Sequence, residues 1–158
     1  MIFEKEETKK IQRVALYCRV STEEQVQNGN GLDIQKQALL NFVQSNPGEY
    51  ILHDKNIYIE EWKSWAEKEK NKRPILYDMF YDAQAWDFDI VLVWKIDRFF
   101  RKTLYLLEGI EALDQFWVNF KSVTQPFDTW NAFWKMMLQM MWVIAELERE
   151  LIKEKSFM

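Results

Sequence analysis

The chain of 158 residues is long enough to bury the core of one domain without disulfides or a metal. Its 48% apolar and 29% charged residues exclude a disordered or fibrous protein, and its single cysteine, Cys18, excludes an internal disulfide. The formal net charge of −4 excludes a strongly basic protein, so any affinity for nucleic acid must be local or come from a further part.

The N-terminal region is polar, and residues 1–12 are expected to form a solvated lead-in rich in glutamate and lysine. No charged segment followed by an apolar one opens the chain, and no run of about 18 apolar residues is free of charge. We therefore expect a cytoplasmic protein with no membrane partner.

Four β-rich runs alternate with helical patterns in the next region, 13–130, which is predicted to be the main domain. The run from Ile90 to Trp94 is apolar on both faces, as in a strand covered by helices on both sides. This alternation predicts a three-layer α/β fold, a sheet flanked by helices. The strands are predicted at Arg13 to Val20, Tyr50 to Glu60, Asp89 to Ile96 and Val118 to Thr124, and the helices at Leu32 to Val43, Pro74 to about Ala85 and Thr103 to Phe116.

The C-terminal region, 131–158, is predicted to be one long helix. Its first half, Phe133 to Ala145, is apolar nearly all round and needs cover on two sides, which the sheet layer and a second protomer would provide. From Glu146 the pattern becomes charged, so this end is expected to project from the domain. The predicted interface residues are Met137, Met141, Trp142 and Ile144.

Ser21 follows the first predicted strand, and Arg19 precedes it by two residues. Strand alternation points both side chains the same way, so the serine hydroxyl could lie where a guanidinium holds an anion. The alternative is a serine that caps a turn or a helix beside a surface arginine. The spacing alone leaves both interpretations open.

A second polar cluster follows the buried third strand. Asp97, Arg98 and Arg101 place two guanidiniums on one face of a turn, an arrangement that suits a phosphate. The alternative is a helix start capped by Asp97, with solvated arginines. Arg73 precedes Pro74 at another predicted helix start, where the helix dipole also favours an anion.

Three aspartates, Asp87, Asp89 and Asp97, suggest a metal-dependent nuclease as a further alternative. Two of them flank a strand start, where solvated carboxylates are common, and no third ligand converges on them. No metal site is therefore predicted.

Taken together, the motifs resemble the catalytic domain of serine recombinases, the resolvase/invertase class, over about residues 11 to 155. They are most similar to large serine recombinases and transposases, in which DNA-binding parts follow this domain. In chain order the motifs are Arg13 to Gln25, Gly31 to Gln35, Asn71 to Pro74, Val91 to Arg98, Phe127 to Thr129 and Glu146 to Glu150.

The resemblance implies site-specific recombination or transposition of double-stranded DNA. Ser21 would attack a backbone phosphate, leaving a 5′-phosphoserine linkage and a free 3′-hydroxyl, with no ATP, metal or other cofactor. A homodimer, and a tetramer during strand exchange, would form through the long helix. The phosphate would be held by Arg19, Arg73, Arg98 and Arg101; the supporting residues would be Tyr17, Gln25, Gln35 and Asp97, together with Glu61 and Ser64.

Two other functions remain open. A truncated or decayed recombinase fragment could act only as a dimerisation module, although Ser21 and the arginine set are intact. An unrelated doubly wound domain that binds a phosphate or nucleotide would be supported by a glycine-rich loop after the first strand, and the sequence has none there.

The sequence holds eight tryptophans and four glycines, whereas average usage predicts about 11 glycines in a chain of this length. One hypothesis is that seven tryptophans are glycines read through the wrong genetic code, since UGA means tryptophan in one code and glycine in another. If they are genuine, indole rings at turns that need positive φ would cost about 1–3 kcal/mol each and put activity in doubt. The seven positions are Trp62, Trp65, Trp86, Trp117, Trp130, Trp134 and Trp142.

Overall fold

The fold is given by a computed structural model that describes residues 10–21, 31–62, 73–100, 103–124, 127–128 and 132–156. The strands are β1 (Gln12–Ser21), β2 (Tyr50–Trp62), β3 (Ile90–Val93), β4 (Asn119–Ser122) and β5 (Phe127–Asp128). The helices are α1 (Gly31–Gln44), α2 (Pro74–Gln84), α3 (Ile96–Phe99), α4 (Thr103–Gln115) and α5 (Ala132–Ser156).

The strands form one sheet in the order β2-β1-β3-β4-β5. The first four strands are parallel, and β5 runs antiparallel to β4. The strand β1 lies between β2 and β3 and is longer than β3, whose last residue, Val93, pairs with Tyr17. The last four residues of β1 therefore extend past β3 at the carboxyl edge of the sheet, where ligands bind in folds of this class.

Apolar side chains from both faces of the sheet are buried, as the three-layer prediction requires. On one face Val14, Leu16 and Cys18 pack against α1, for example against Leu39. On the other face a larger cluster that includes Tyr17 packs against α2, α4 and α5. The predicted sheet with helices on both faces is therefore confirmed.

The bounds of most elements agree with the predictions to within two residues; the exceptions are β3 and two short elements that were not predicted, α3 and β5. The strand β3 ends at Val93, because the chain bends at Trp94 and begins α3 at Ile96. The prediction that this strand continues to Ile96 was wrong, since Trp94 and Ile96 are apolar but belong to the bend and to the next helix. The short strand β5 was not predicted, and two residues carry too little pattern to identify a strand.

Two tryptophans follow directly on helices in an unusual backbone conformation. Trp86, after α2, has φ of 62°, and Trp117, after α4, has φ of 63°. Among the described residues they are the only non-glycine residues with positive φ. The half-buried Trp142 lies in the helical backbone of α5 and packs against the core.

The long helix α5 covers the core with one side only. Leu138 is buried, and Met141 and Trp142 pack partly against the larger cluster. The other side exposes apolar residues, namely Met136, Met140, Val143, Ile144, Leu147, Leu151 and Ile152. Among the described helices, none offers the uncharged apolar length that a bilayer crossing requires.

Candidate active site

Ser21 is the last residue of β1 and lies at the carboxyl edge of the parallel sheet. Its backbone pairs with Trp62 of β2, and its side chain is buried. Arg19, two residues earlier on the same strand, is also buried. The extended backbone of β1 directs both side chains to the same face, so the serine and the guanidinium share one side of this edge.

The Arg19 backbone joins three segments of the chain. Its N–H donates to Oε1 of Gln35 at 3.4 Å, and its carbonyl accepts a hydrogen bond from Nε2 of Gln35 at 3.1 Å. The same carbonyl accepts a hydrogen bond from Nη1 of Arg98 at 3.2 Å. The buried Gln35 of α1 thus bonds the β1 backbone beyond the point where its pairing with β3 ends, and Arg98 is held beside the strand end.

Arg98 and Asp97 lie on α3, directly after the bend that follows β3. The Arg98 side chain is 19% exposed, whereas that of Asp97 is 62% exposed. Arg98 Nε lies 3.9 Å from Oδ1 of Asp97, and its guanidinium carbon lies 5.8 Å from the centre of the Trp94 ring. Asp97 can therefore orient Arg98 from the solvent side while Trp94 supports the guanidinium plane.

A buried network connects Arg73, Tyr17 and Glu60. Arg73 donates to the Tyr17 hydroxyl from Nη2 at 2.8 Å and from Nε at 3.3 Å. The hydroxyl in turn donates to Oε1 of Glu60 at 3.3 Å. The Arg73 guanidinium also lies over the rings of Tyr17 and Phe100, at 5.4 and 4.6 Å from their centres. Arg73 is thus fixed both by hydrogen bonds and by aromatic contact.

Glu60 anchors the start of α2 as well as Tyr17. Its Oε2 accepts the backbone N–H of Ile75 at 3.2 Å, and its Oε1 accepts that of Leu76 at 3.1 Å. Pro74 opens the helix, as predicted, and Arg73 immediately precedes it. The carboxylate therefore satisfies free amides of the first turn, where the helix dipole favours a negative charge.

Burial raises the pKa of the Tyr17 hydroxyl, although the charges of Arg73 and Arg19 act to lower it. The neighbouring Cys18 points to the opposite face of β1, and burial raises its thiol pKa to about 12. Both groups are therefore protonated at neutral pH. Tyr17 is a hydrogen-bond donor and acceptor, and Cys18 is a buried core residue.

Of the predicted site residues, Tyr17, Arg19, Ser21, Gln35, Arg73 and Arg98 lie on or against the last part of β1, with Asp97 beside them. Glu61 is exposed on β2, and its neighbour Glu60 carries the contacts instead. Sequence analysis did not identify Glu60. Three predicted residues, Gln25, Ser64 and Arg101, and the side chain of the predicted interface residue Met137, lie outside the described residues.

The three aspartates of the nuclease alternative are separately engaged. Asp89 accepts hydrogen bonds from the backbone N–H and the guanidinium of Arg13. Its Oδ2 lies 2.8 Å from the Arg13 backbone nitrogen. Asp87 lies 4.0 Å from the Lys55 ammonium, and Asp97 lies beside Arg98. In the described part of the chain, no three His, Cys, Asp or Glu residues form a group that could hold a metal ion.

Residues 14–157 match the sequence model of the family described as "Resolvase, N terminal domain". The chain belongs to the serine recombinase family. It is 32% identical over 145 residues to the probable DNA-invertase y4cG of Sinorhizobium fredii, covering 92% of this chain and 41% of the relative. It is also 32% identical over 140 residues to a DNA-invertase of Escherichia phage P1, covering 89% of this chain and 64% of the relative.

The fold agrees with that of a solved member of the same family. The crystal structure of the N-terminal catalytic domain of TP901-1 integrase superposes with a TM-score of 0.72 at 28% identity, covering 88% of this chain and 98% of that domain. The chain thus corresponds to a serine recombinase catalytic domain, whereas it spans about two fifths to two thirds of the length of the two invertases.

Proposed function

We propose that this domain cuts and rejoins DNA by serine transesterification, with Ser21 as the nucleophile. The observation that carries the proposal is the position of Ser21 at the carboxyl edge of the sheet, on a strand end that also holds two arginines. Arg19 precedes it on β1, and Arg98 is hydrogen-bonded to the Arg19 carbonyl. Positive charge fixed around a serine is the arrangement that phosphoryl transfer requires.

In the proposed reaction, the Ser21 Oγ attacks the phosphorus of a DNA backbone phosphodiester. The Oγ–P bond forms, the bond from phosphorus to the 3′ oxygen breaks, the serine loses its proton and the 3′ oxygen gains one. A 5′-phosphoserine linkage results, and attack by the 3′-hydroxyl of an exchanged strand reverses the step. Each step exchanges one phosphodiester for another, so the reaction requires no ATP or bound cofactor.

The residues around Ser21 have three roles in this proposal. Arg19, Arg73, Arg98 and Arg101 would bind the phosphate and stabilise the charge that develops on its oxygens. Asp97 would orient Arg98 or handle a proton. The supporting residues would be Tyr17, Gln25, Gln35, Glu61 and Ser64. The contacts of Gln35 with Arg19 and of Tyr17 with Arg73 support a positioning role for these two.

The proposed partners are double-stranded DNA at a recombination site and further copies of the same chain. The exposed apolar side of α5 supports a homodimer, and a tetramer would assemble for strand exchange. Beside it, a groove of about 430 Å³ between α4 and α5 is lined by Leu107, Ile110, Trp142 and Val143, among others. We assign catalysis to 13–130, after the polar lead-in 1–12, and oligomerisation to 131–158.

A non-catalytic dimerisation module is the second candidate. It is favoured by the exposed apolar side of α5. The two candidates differ in one property, since only the enzyme makes a covalent bond to DNA.

The discriminating experiment uses the product of the complete gene, incubated with plasmids that carry the DNA flanking that gene. A protein–DNA adduct that resists denaturation is expected with the unmodified protein and absent with Ser21→Ala. Ser122→Ala is the matched control, since Ser122 is also a buried serine at the end of a parallel strand. An adduct that persists in Ser21→Ala contradicts the proposal, and DNA binding without any adduct favours the dimerisation module.

A further inference from the structure

We propose that Glu60 is a positioning residue for the recombination reaction, acting on Arg73 through Tyr17 and through the first turn of α2. The inference rests on the proposed function of Arg73 as a phosphate-binding residue. Glu60 is 2% exposed on β2, next in sequence to the exposed Glu61. A carboxylate so deeply buried is costly unless hydrogen bonds or opposite charges compensate it.

The Glu60 carboxylate is compensated from two directions. Two backbone amides of the first turn of α2, those of Ile75 and Leu76, donate to its oxygens, and the Tyr17 hydroxyl donates to Oε1. The hydroxyl has one proton, which forms its hydrogen bond to Glu60, and its lone pairs accept the hydrogen bonds from Arg73. The direction of this chain fixes the Tyr17 hydroxyl as an acceptor toward Arg73.

Arg73 is therefore coupled to Glu60 by two routes. It immediately precedes the helical turn that Glu60 binds, and its guanidinium bonds to the hydroxyl that Glu60 orients. Loss of the carboxylate would release the hydroxyl proton to rotate toward other acceptors and would loosen the helix start. Both changes move the Arg73 guanidinium, and displacements of about 1 Å can reduce enzymatic rates on the order of 100-fold.

The first test reads the position of Arg73 directly, without activity. In the unmodified protein, NMR is expected to show slow solvent exchange of the Arg73 Nε–H, which donates to Tyr17. Glu60→Gln should accelerate this exchange. The matched control is Asn56→Ala, because Asn56 is an equally buried polar residue of β2 that bonds to Tyr58 and not to the site. Equal protection of Arg73 in Glu60→Gln and the unmodified protein would overturn the proposal.

The second test measures the rate of adduct formation in the product of the complete gene. Glu60→Gln should slow the reaction at least tenfold with little change in DNA affinity, and should have almost no further effect in an Arg73→Ala background. If Glu60→Gln slows adduct formation by the same factor with and without Arg73→Ala, Glu60 does not act through Arg73. An unmodified protein that forms no adduct contradicts the proposed function itself, and the NMR result still decides whether Glu60 holds Arg73.

A separate observation concerns Trp86 and Trp117, and from it we infer that the native residue at both positions is glycine. After α2, the N–H of Asp87 donates to the Asp82 carbonyl at 3.1 Å, and that of Trp86 to the Ala83 carbonyl at 3.0 Å. This pair of bonds defines a Schellman motif, in which the residue at the Trp86 position takes a left-handed conformation and is usually glycine.

The end of α4 repeats the motif. The N–H of Val118 donates to the Leu113 carbonyl at 2.9 Å, and that of Trp117 to the Asp114 carbonyl at 3.0 Å. The side chains of Trp86 and Trp117 are 67% and 84% exposed, so packing does little to offset the backbone cost. With eight tryptophans and four glycines in the chain, one cause explains both sites, a UGA codon that the source organism reads as glycine.

The codons and the mass of the protein from its source organism test this inference. We expect UGA at both positions and peptides with the mass of glycine there. UGG codons or tryptophan masses would overturn it. In the recombinant chain, Trp86→Gly and Trp117→Gly should each raise Tm by about 2–4 °C. Trp94→Gly is the control, since Trp94 has no positive φ and supports Arg98, and this change should lower Tm.

Discussion

Arg98 donates a hydrogen bond from Nη1 to the Arg19 carbonyl at 3.2 Å, joining residues that are 79 positions apart in the sequence. The bond brings the helix after β3 against the end of β1, two residues before Ser21. Arginines of two separate sequence motifs therefore lie together at this edge of the sheet. This contact is the structural basis for the first prediction.

Replacing Arg98 should impair the reaction more than the stability of the fold. We expect Arg98→Ala to slow adduct formation on the order of 100–1000-fold, the usual cost of removing a group that stabilises transition-state charge. Arg98→Lys should recover only part of the rate, because an ammonium cannot bond the Arg19 carbonyl and a phosphate in the same planar geometry. Single-turnover kinetics on a fixed DNA site measure both effects.

The control for this prediction is Arg13→Ala. Arg13 lies at the other end of β1 and pairs with Asp89, away from Ser21. Its loss should lower stability while leaving the rate of adduct formation in the folded protein unchanged. An equal loss of rate in both variants would indicate a general effect of positive charge and would contradict a specific role for Arg98.

Gly109 of α4 should not tolerate alanine, although alanine normally favours a helix. A Cβ at this position would lie 2.5 Å from Cε2 of Phe100 and 2.9 Å from Cε1 of Phe99. Phe99 is fully buried and Phe100 lies under the Arg73 guanidinium, so both rings and Arg73 would have to shift. We expect Gly109→Ala to lower the free energy of unfolding by about 1–3 kcal/mol.

Gly31→Ala is the matched control for Gly109→Ala. Gly31 is also a helical glycine, the first residue of α1. A Cβ added at Gly31 would meet no other atom within 4 Å. This change should be neutral or slightly stabilising. Urea unfolding of both variants tests the prediction, and equal stability of Gly109→Ala and Gly31→Ala would show that the aromatic rings yield without cost.

Cys18 gives the folded state a pH dependence above neutrality. Its ordinary thiol pKa is 9.0, and burial raises it to about 12 in the folded protein. Between these values the unfolded chain loses a proton that the folded chain keeps, so stability falls as pH rises from about 9 toward 12. Between pH 9 and pH 10, the free energy of unfolding of the unmodified protein should fall by about 1 kcal/mol more than that of Cys18→Ala. Parallel pH profiles would contradict this.

Self-association should depend on the exposed side of α5. Ile144 is 53% exposed there, and Ile144→Asp would place a charge in the proposed dimer interface. We expect the dimer dissociation constant to rise at least tenfold, which corresponds to about 1.4 kcal/mol. Sedimentation velocity measures it, and Tyr81→Asp on the exposed surface of α2 is the control. Equal association of both variants would locate the interface elsewhere.

Hydrophobic patterns predicted the four parallel strands and the four longer helices, although β3 is only a short apolar run and the first half of α5 is apolar nearly all round. These patterns did not identify Glu60, because in β2 the polar residues are the buried ones and the isoleucines between them are more exposed. Asn56, Tyr58 and Glu60 are buried beneath α2, whereas Ile57 and Ile59 are only partly buried. A buried polar strand face follows from the partners it meets, and those partners are distant in sequence.

The sequence pointed to Ser21 and the arginines because they lie in recognisable motifs, and the structure places Tyr17, Arg19, Ser21, Gln35, Arg73 and Arg98 on or against the last part of β1. The sequence could not show that Arg98 and Gln35 both form hydrogen bonds to the Arg19 backbone. Both contacts depend on how separate elements pack. The positive φ of Trp86 agrees with the expectation that this tryptophan stands at a turn that needs a glycine-like conformation. It follows from the Schellman hydrogen bonds that end α2.

The most direct test of the proposed chemistry is to map the covalent link in the protein–DNA adduct by mass spectrometry. After protease and nuclease digestion, we expect a nucleotide joined through its 5′-phosphate to the peptide that contains Ser21, together with a free 3′-hydroxyl on the other DNA end. A link to another residue, or through the 3′-phosphate, would contradict Ser21 as the nucleophile.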